Sequence, residues 1–120
     1  MIVSFNSIDE ELNKVSFISL AKKNNESIVF EDKSVKDTII NLEIYDDKVI
    51  IDRVGYVNIF LEFRLNSTFK TTYKSNDGLE FDFEIFCNML DIKQNRIDIE
   101  YDMILDDFTK THHKIWVLMK

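Results

Sequence analysis

Proline is absent from this 120-residue chain, and glycine occurs only twice, at Gly55 and Gly78. A fold that reverses the chain often must then place most of its turns on other residues. The two glycines mark the expected tight or bulged reversals, because glycine reaches positive φ without steric cost. Gly55 separates Lys48-Val-Ile-Ile-Asp-Arg53 from Tyr56-Val-Asn-Ile-Phe60. Gly78 closes Ser75-Asn-Asp-Gly78 ahead of the alternating run Leu79-Glu-Phe-Asp-Phe-Glu-Ile85.

Apolar and polar residues alternate with a period of two along most of the chain, which is the signature of half-buried strands. The runs 2–8, 14–21, 27–32, 37–45, 48–54, 56–64, 67–74, 79–87, 96–105 and 111–119 predict strands. Polar breakers separate them, such as Asn24-Asn25, Asp46-Asp47 and Asp106-Asp107. Asn and Asp tolerate the left-handed region and bond back to their own backbone, so they replace the missing glycines. The regular spacing predicts an all-β antiparallel up-and-down meander. Some neighbouring runs can merge into one bent strand, giving eight to ten strands, with eight as the expected barrel. Residues 85–94 read equally well as a helical turn.

The last two strands fix a register. Ile97, Ile99, Tyr101 and Met103 share one face, and Asp98, Glu100 and Asp102 share the other. Matching faces sets Asp102 opposite His112 and Glu100 opposite Lys114, joined by an odd-length loop around Asp106–Thr109.

Size and charge narrow the function classes. A chain of this length forms one domain, residues 1–120, and buries enough surface to need no disulfide. Cys87, beside Ile85, Phe86 and Met89, reads as a buried and unreactive thiol. Residues 1–60 carry 7 basic and 11 acidic side chains, and residues 61–120 carry 8 and 11, for a net charge of −7. Without a basic tract, nucleic acid and anionic membranes are not expected as partners. No apolar run approaches the ~20 residues of a membrane helix, and no leader pattern opens the chain, so the cytoplasm is the expected location.

The intervals Arg53-x-Gly55, Phe63, Tyr73 and Gly78 resemble those of the YwiB-like family of uncharacterised bacterial proteins. Lys48-Val49 upstream and Arg96-Ile97-x-Ile99-x-Tyr101-Asp102-Met103 downstream extend the resemblance. It is close over residues 40–119 and loose over 1–39, where the chain is shorter between 20 and 35 and one hairpin must be trimmed. Glu84 also stands where the family usually has threonine. The resemblance implies a calycin-like (lipocalin-like) barrel, closed or nearly closed. It implies no activity, although calycin relatives bind small apolar molecules inside the barrel.

Candidate ligand-binding residues follow from chemistry and position. Arg53 in a strand either binds a ligand carboxylate with its planar fork or closes a barrel end on a carboxylate such as Asp52 or Asp102. Tyr73 and Tyr101 either point a phenol at a ligand or pack their rings. Phe63, Phe81 and Phe83 either line a pocket or, among ten phenylalanines, fill the barrel. The rows Glu80, Asp82, Glu84 and Asp98, Glu100, Asp102 either hold a cation or dock a basic partner, or they form a solvated outer face. His112 and His113 point to opposite faces of one strand, so no metal site is expected from them. No catalytic motif and no cofactor are expected. The reading is a non-catalytic binding module for a small apolar or amphipathic ligand. Its alternative is a filled barrel serving as a protein-interaction module.

Overall fold

The computed structural model describes residues 1–120 and contains ten strands. They are β1 (Ile2–Asp9), β2 (Lys14–Asn24), β3 (Ser27–Glu31), β4 (Thr38–Ile44), β5 (Lys48–Gly55), β6 (Val57–Arg64), β7 (Thr68–Ser75), β8 (Glu80–Ile92), β9 (Arg96–Ile104) and β10 (Lys110–Met119). Each pairs antiparallel with its neighbours in sequence, and β1 closes on β10. The barrel therefore has ten strands rather than eight. None of the neighbouring runs merges, because every polar breaker between them turns the chain.

Asn and Asp take over the work of glycine. Asn25, Asp37 and Asn66 all have positive φ, as does Leu12. The β2–β3 hairpin is trimmed to the two residues Asn25 and Glu26. Asp9 caps the β1–β2 turn by accepting from the backbone N–H groups of Glu11 (3.0 Å) and Asn13 (2.9 Å). Asp106 does the same for Phe108 and Thr109, both at 2.8 Å.

Residues 85–94 are not helical. β8 continues to Ile92 through a bulge between Cys87 and Met89. The extra residue shifts the inward row from Ile85 and Cys87 to Leu90 and Ile92, so the apolar spacing imitates a helix over that stretch. Between β9 and β10, Asp102 lies opposite His112 and Glu100 opposite Lys114, joined by a five-residue loop. The two carboxylate rows, however, are not side by side. Glu84 faces Ile104 at the end of β9, so Glu80 and Asp82 run past that strand and face Lys74 and Thr72 of β7 instead.

Eighteen buried residues fill the interior, among them Phe5, Leu42, Phe63, Ile85, Ile97 and Val117. Cys87 is buried there, and burial pushes its thiol up to about 11. Closure is least regular between β6 and β7. They pair only at Val57–Ser75 and Asn58–Lys74, and farther along the Thr71 hydroxyl donates to the Phe60 carbonyl at 2.6 Å. The turns after β1, β3, β5, β7 and β9 lie together at one end, and both termini lie at the other.

Candidate functional site

The end that carries these odd-numbered turns holds polar groups inside the barrel. On β5, Val49, Ile51 and Arg53 share the inward row, so Arg53 continues an apolar stripe into the lumen. On β3 the inward row is Ile28 and Phe30, and Asp32 follows in phase just past the strand. The two stripes converge. Arg53 Nε lies 3.1 Å from Asp32 Oδ2, and the Asp32 side chain is completely buried. Neither atom makes a hydrogen bond, so the contact is an ion pair. The other Asp32 oxygen accepts from the Ser34 N–H (2.9 Å) and the Ser34 hydroxyl (2.5 Å).

Arg53 thus meets neither Asp52 nor Asp102. Asp52 is adjacent in sequence and projects to the opposite face of the strand. Asp102 is on the outer face of β9, where it contacts His112 and Lys110. Asp32 was legible in one respect: a carboxylate in phase with Ile28 and Phe30 needs a cation, and Arg53 is the cation in phase with Val49 and Ile51.

A cavity of about 190 Å³ opens beside Arg53. Its apolar wall includes Phe5, Ile51, Leu61 and Ile115, and its polar wall includes Ser7, Tyr101 and His113. The Arg53 guanidinium sits 5.7 Å from the Phe5 ring centroid. Tyr101 stacks on His113 (5.1 Å between centroids, 17° between planes) and tilts against Phe63 at 5.0 Å. Burial pushes the Tyr101 phenol up to about 12, against the opposing pull of nearby Arg53, so it stays a neutral hydrogen-bonding group. The Asp9 carboxylate also borders the cavity, but its bonds to Asn13 and Glu11 hold it below the usual range and turn it to its own loop.

The structure brings only some of the candidate residues together. Arg53 and Tyr101 line the cavity, and Phe63 backs Tyr101. Tyr73, Phe81 and Phe83 form a separate stack on β7 and β8, with Tyr73 on Phe81 at 5.0 Å and Phe81 against Phe83 at 5.8 Å. They fill their side of the barrel. His113, Ser7 and Phe5 are cavity residues that sequence reasoning did not single out, because only closure of β1 on β10 brings them to Arg53. A larger depression of about 530 Å³ lies on the outside, between β7, β8 and the β9–β10 loop. Most of its charged groups already have partners, as in Thr72–Asp82 (2.6 Å) and Lys70–Glu84 (3.7 Å). It is an open surface groove.

The two histidines occupy opposite faces and opposite environments. His112 lies outside between Asp102 (3.0 Å) and Glu100 (3.2 Å), and these bonds raise its pKa. His113 lies inside, where burial lowers its pKa, and its Nε2 is 2.7 Å from the Thr111 hydroxyl. An NMR titration is expected to place the His112 midpoint above 6.5 and the His113 midpoint below it. The linked stabilities run oppositely. The His112 contribution is complete below pH 6.5 and fades as pH rises through its folded value. The His113 contribution is complete at higher pH and fades as pH falls below 6.5. Two midpoints on the same side of 6.5 would contradict these placements.

Comparison with known proteins agrees with the architecture. A crystal structure of the YwiB protein from Bacillus subtilis superposes with a TM-score of 0.67 at 12% identity, covering 99% of this chain and 90% of that one. The likeness therefore includes residues 1–39, where the sequence resemblance was loose. No curated protein matches the chain significantly. A domain of unknown function, DUF1934, matches residues 4–116. The chain belongs to the DUF1934 family, and its barrel is YwiB-like.

Proposed function

We propose that this barrel is a non-catalytic binding module, and that its ligand is a small organic anion with an apolar body held in the cavity beside Arg53. One observation carries the reading: a partly accessible arginine stands inside the barrel and lines a hollow with a largely apolar wall. Its side chain is 24% exposed and lines the cavity, and Asp32 engages it through Nε, which leaves the terminal nitrogens for a guest. A guanidinium edge suits a carboxylate, and Tyr101 and Ser7 can add hydrogen bonds. Phe5, Ile51 and Leu61 would cover the apolar body.

Volume limits the guest. A space of about 190 Å³ is below the ~300–1,000 Å³ of pockets for drug-sized ligands. The occupant is then compact, on the scale of benzoate or a short fatty acid. A cytoplasmic setting, with its supply of small carboxylates, suits such a binder.

Benzoate serves as the probe, with benzyl alcohol as its neutral counterpart. Benzoate at millimolar concentration is expected to shift the ring signals of Tyr101 and His113 and leave His112 unmoved. Benzyl alcohol should bind at least about tenfold more weakly, as expected for loss of a charge-assisted pair. Arg53→Lys keeps a cation near Asp32 but loses the fork, so it should retain the melting transition and lose the preference for benzoate. Equal response to both probes, or none, rejects the anion site. Native mass spectrometry of protein from its own host then identifies the natural occupant.

A further inference from the structure

The chain carries 22 acidic residues, yet one broad outer face has none. Outward positions on β10, β1 and β2 include no Asp or Glu. At its centre, Ile2 lies opposite Leu20, and Ser4 sits between Ile18 and Leu118. These aliphatic side chains are unusually bare: Leu20 is 79% exposed, Ile18 64% and Ile2 48%. Lysines surround them. Lys14 and Lys114 flank the Trp116 ring at 5.7 and 5.8 Å, Lys22 follows Leu20 on the same face, and Lys120 follows the last residue of β10. Carboxylates resume at its borders: on β9, where Asp98 faces Trp116 and is held by Arg96 at 2.8 Å; on β3, where Glu31 follows Val29 on the outward row; and in the turns at Glu10–Glu11 and Glu26.

Lysine on an outer strand often protects an open sheet edge. That explanation fails for β1 and β10, which are paired along both edges. It reaches only the lysines of β2, which is covered on one edge at a time, by β1 over Lys14–Leu20 and by β3 over Ala21–Asn24. Nor does solubility require these lysines, since the chain already carries a net charge of −7. A contiguous exposed apolar patch with a polar rim marks an interaction surface.

We infer that the β10–β1–β2 face docks an acidic segment of another protein that presents apolar side chains to Ile2, Ile18 and Leu20. Charge complementarity selects this occupant: carboxylates on the partner would meet the lysine rim while its apolar groups cover the centre. A second copy docked by two-fold symmetry would instead set lysine rim against lysine rim. An extended anionic membrane would feel the whole chain's negative charge and repel it. Nucleic acid would find aliphatic side chains at the centre, where single strands need stacking platforms. This surface is separate from the lumen, so it stands or falls independently of the ligand.

A photoreactive amino acid placed at Leu20, in the full chain expressed in its host, tests the proposal. Val54, 53% exposed on β5, is the control position. The expected result is one dominant protein adduct at position 20 and none at 54, with the crosslinked peptide acidic. Binding of that purified partner should weaken with added salt and fall about tenfold or more in the variant Lys22→Glu, Lys120→Glu. Both lysines are exposed, so the barrel should keep its melting transition. An adduct to a second copy, to lipid, or to a neutral or basic segment overturns the inference. So does equal labelling at position 54, no adduct at all, or salt-independent binding.

Discussion

Gly55→Ala is expected to cost the barrel about 3–5 kcal/mol, close to the largest effects of single substitutions. A Cβ built at Gly55 would lie 2.0 Å from the Asp37 carbonyl oxygen and 2.9 Å from the Thr38 Cα. Both are backbone atoms at the start of β4, one in it and one just before it, so neither can swing aside. The Asp37 oxygen is also held by the Tyr56 N–H at 3.0 Å. Asn58 ties down the other side, accepting from the Gly55 N–H (3.2 Å) and donating to its carbonyl (2.8 Å). A φ of +141° adds strain for any L side chain. Gly78→Ala is the matched comparison. Its φ is +95°, but nothing lies within 4 Å of the added carbon. Only the backbone penalty applies there, about 1–2 kcal/mol. Urea unfolding of both variants checks the difference, and equal losses would mean that the contact at Gly55 is not what constrains it.

Arg53→Met is expected to cost about 3–5 kcal/mol, the usual consequence of removing one partner from a buried ion pair. The Asp32 side chain is wholly buried, so the variant strands a carboxylate supported only by Ser34. Methionine fills similar volume, which separates loss of charge from loss of packing. The companion Asp32→Asn should recover a substantial part of that stability in the double variant, because it removes the stranded charge while keeping the shape. A double-mutant cycle by denaturant unfolding measures the coupling. Additive losses would show that the two side chains do not depend on one another. Arg53→Lys keeps a cation beside Asp32 and so avoids this loss, which is why it suits the ligand test and Arg53→Met suits the stability test.

Much of the strand pattern was legible because period-two alternation is a local signal, and the polar breakers are local as well. All ten runs became strands, and the register of β9 against β10 followed from which residues must face the core. The strand count was less secure, since nothing local distinguishes a bend from a turn. The stretch 85–94 misled for a local reason too: a one-residue bulge rephases the inward row and mimics a helix.

The site was legible only in part. The reading found Arg53 and Tyr101 from residue type and strand position, and the structure places both on one cavity. It grouped Tyr73, Phe81 and Phe83 with them, yet these residues pack on another part of the wall. It missed Asp32 as the partner of Arg53 and missed His113 in the lumen. Each of these facts depends on which strands lie across the barrel from one another, and residue spacing along the chain does not encode that.

The sequence by itself determined an all-β meander, the breakers at which it could turn, and the inward rows outside the β8 bulge, because all three follow from alternation and turn chemistry between near neighbours. Tertiary structure alone decided that ten strands close, that β1 meets β10, and that Arg53 finds Asp32. It also separated the two glycines that looked alike in the sequence. Gly78 serves a turn open to solvent, whereas Gly55 lies where two backbones come too close for any side chain. That distinction is a distance between strands, so it exists only once the chain has folded.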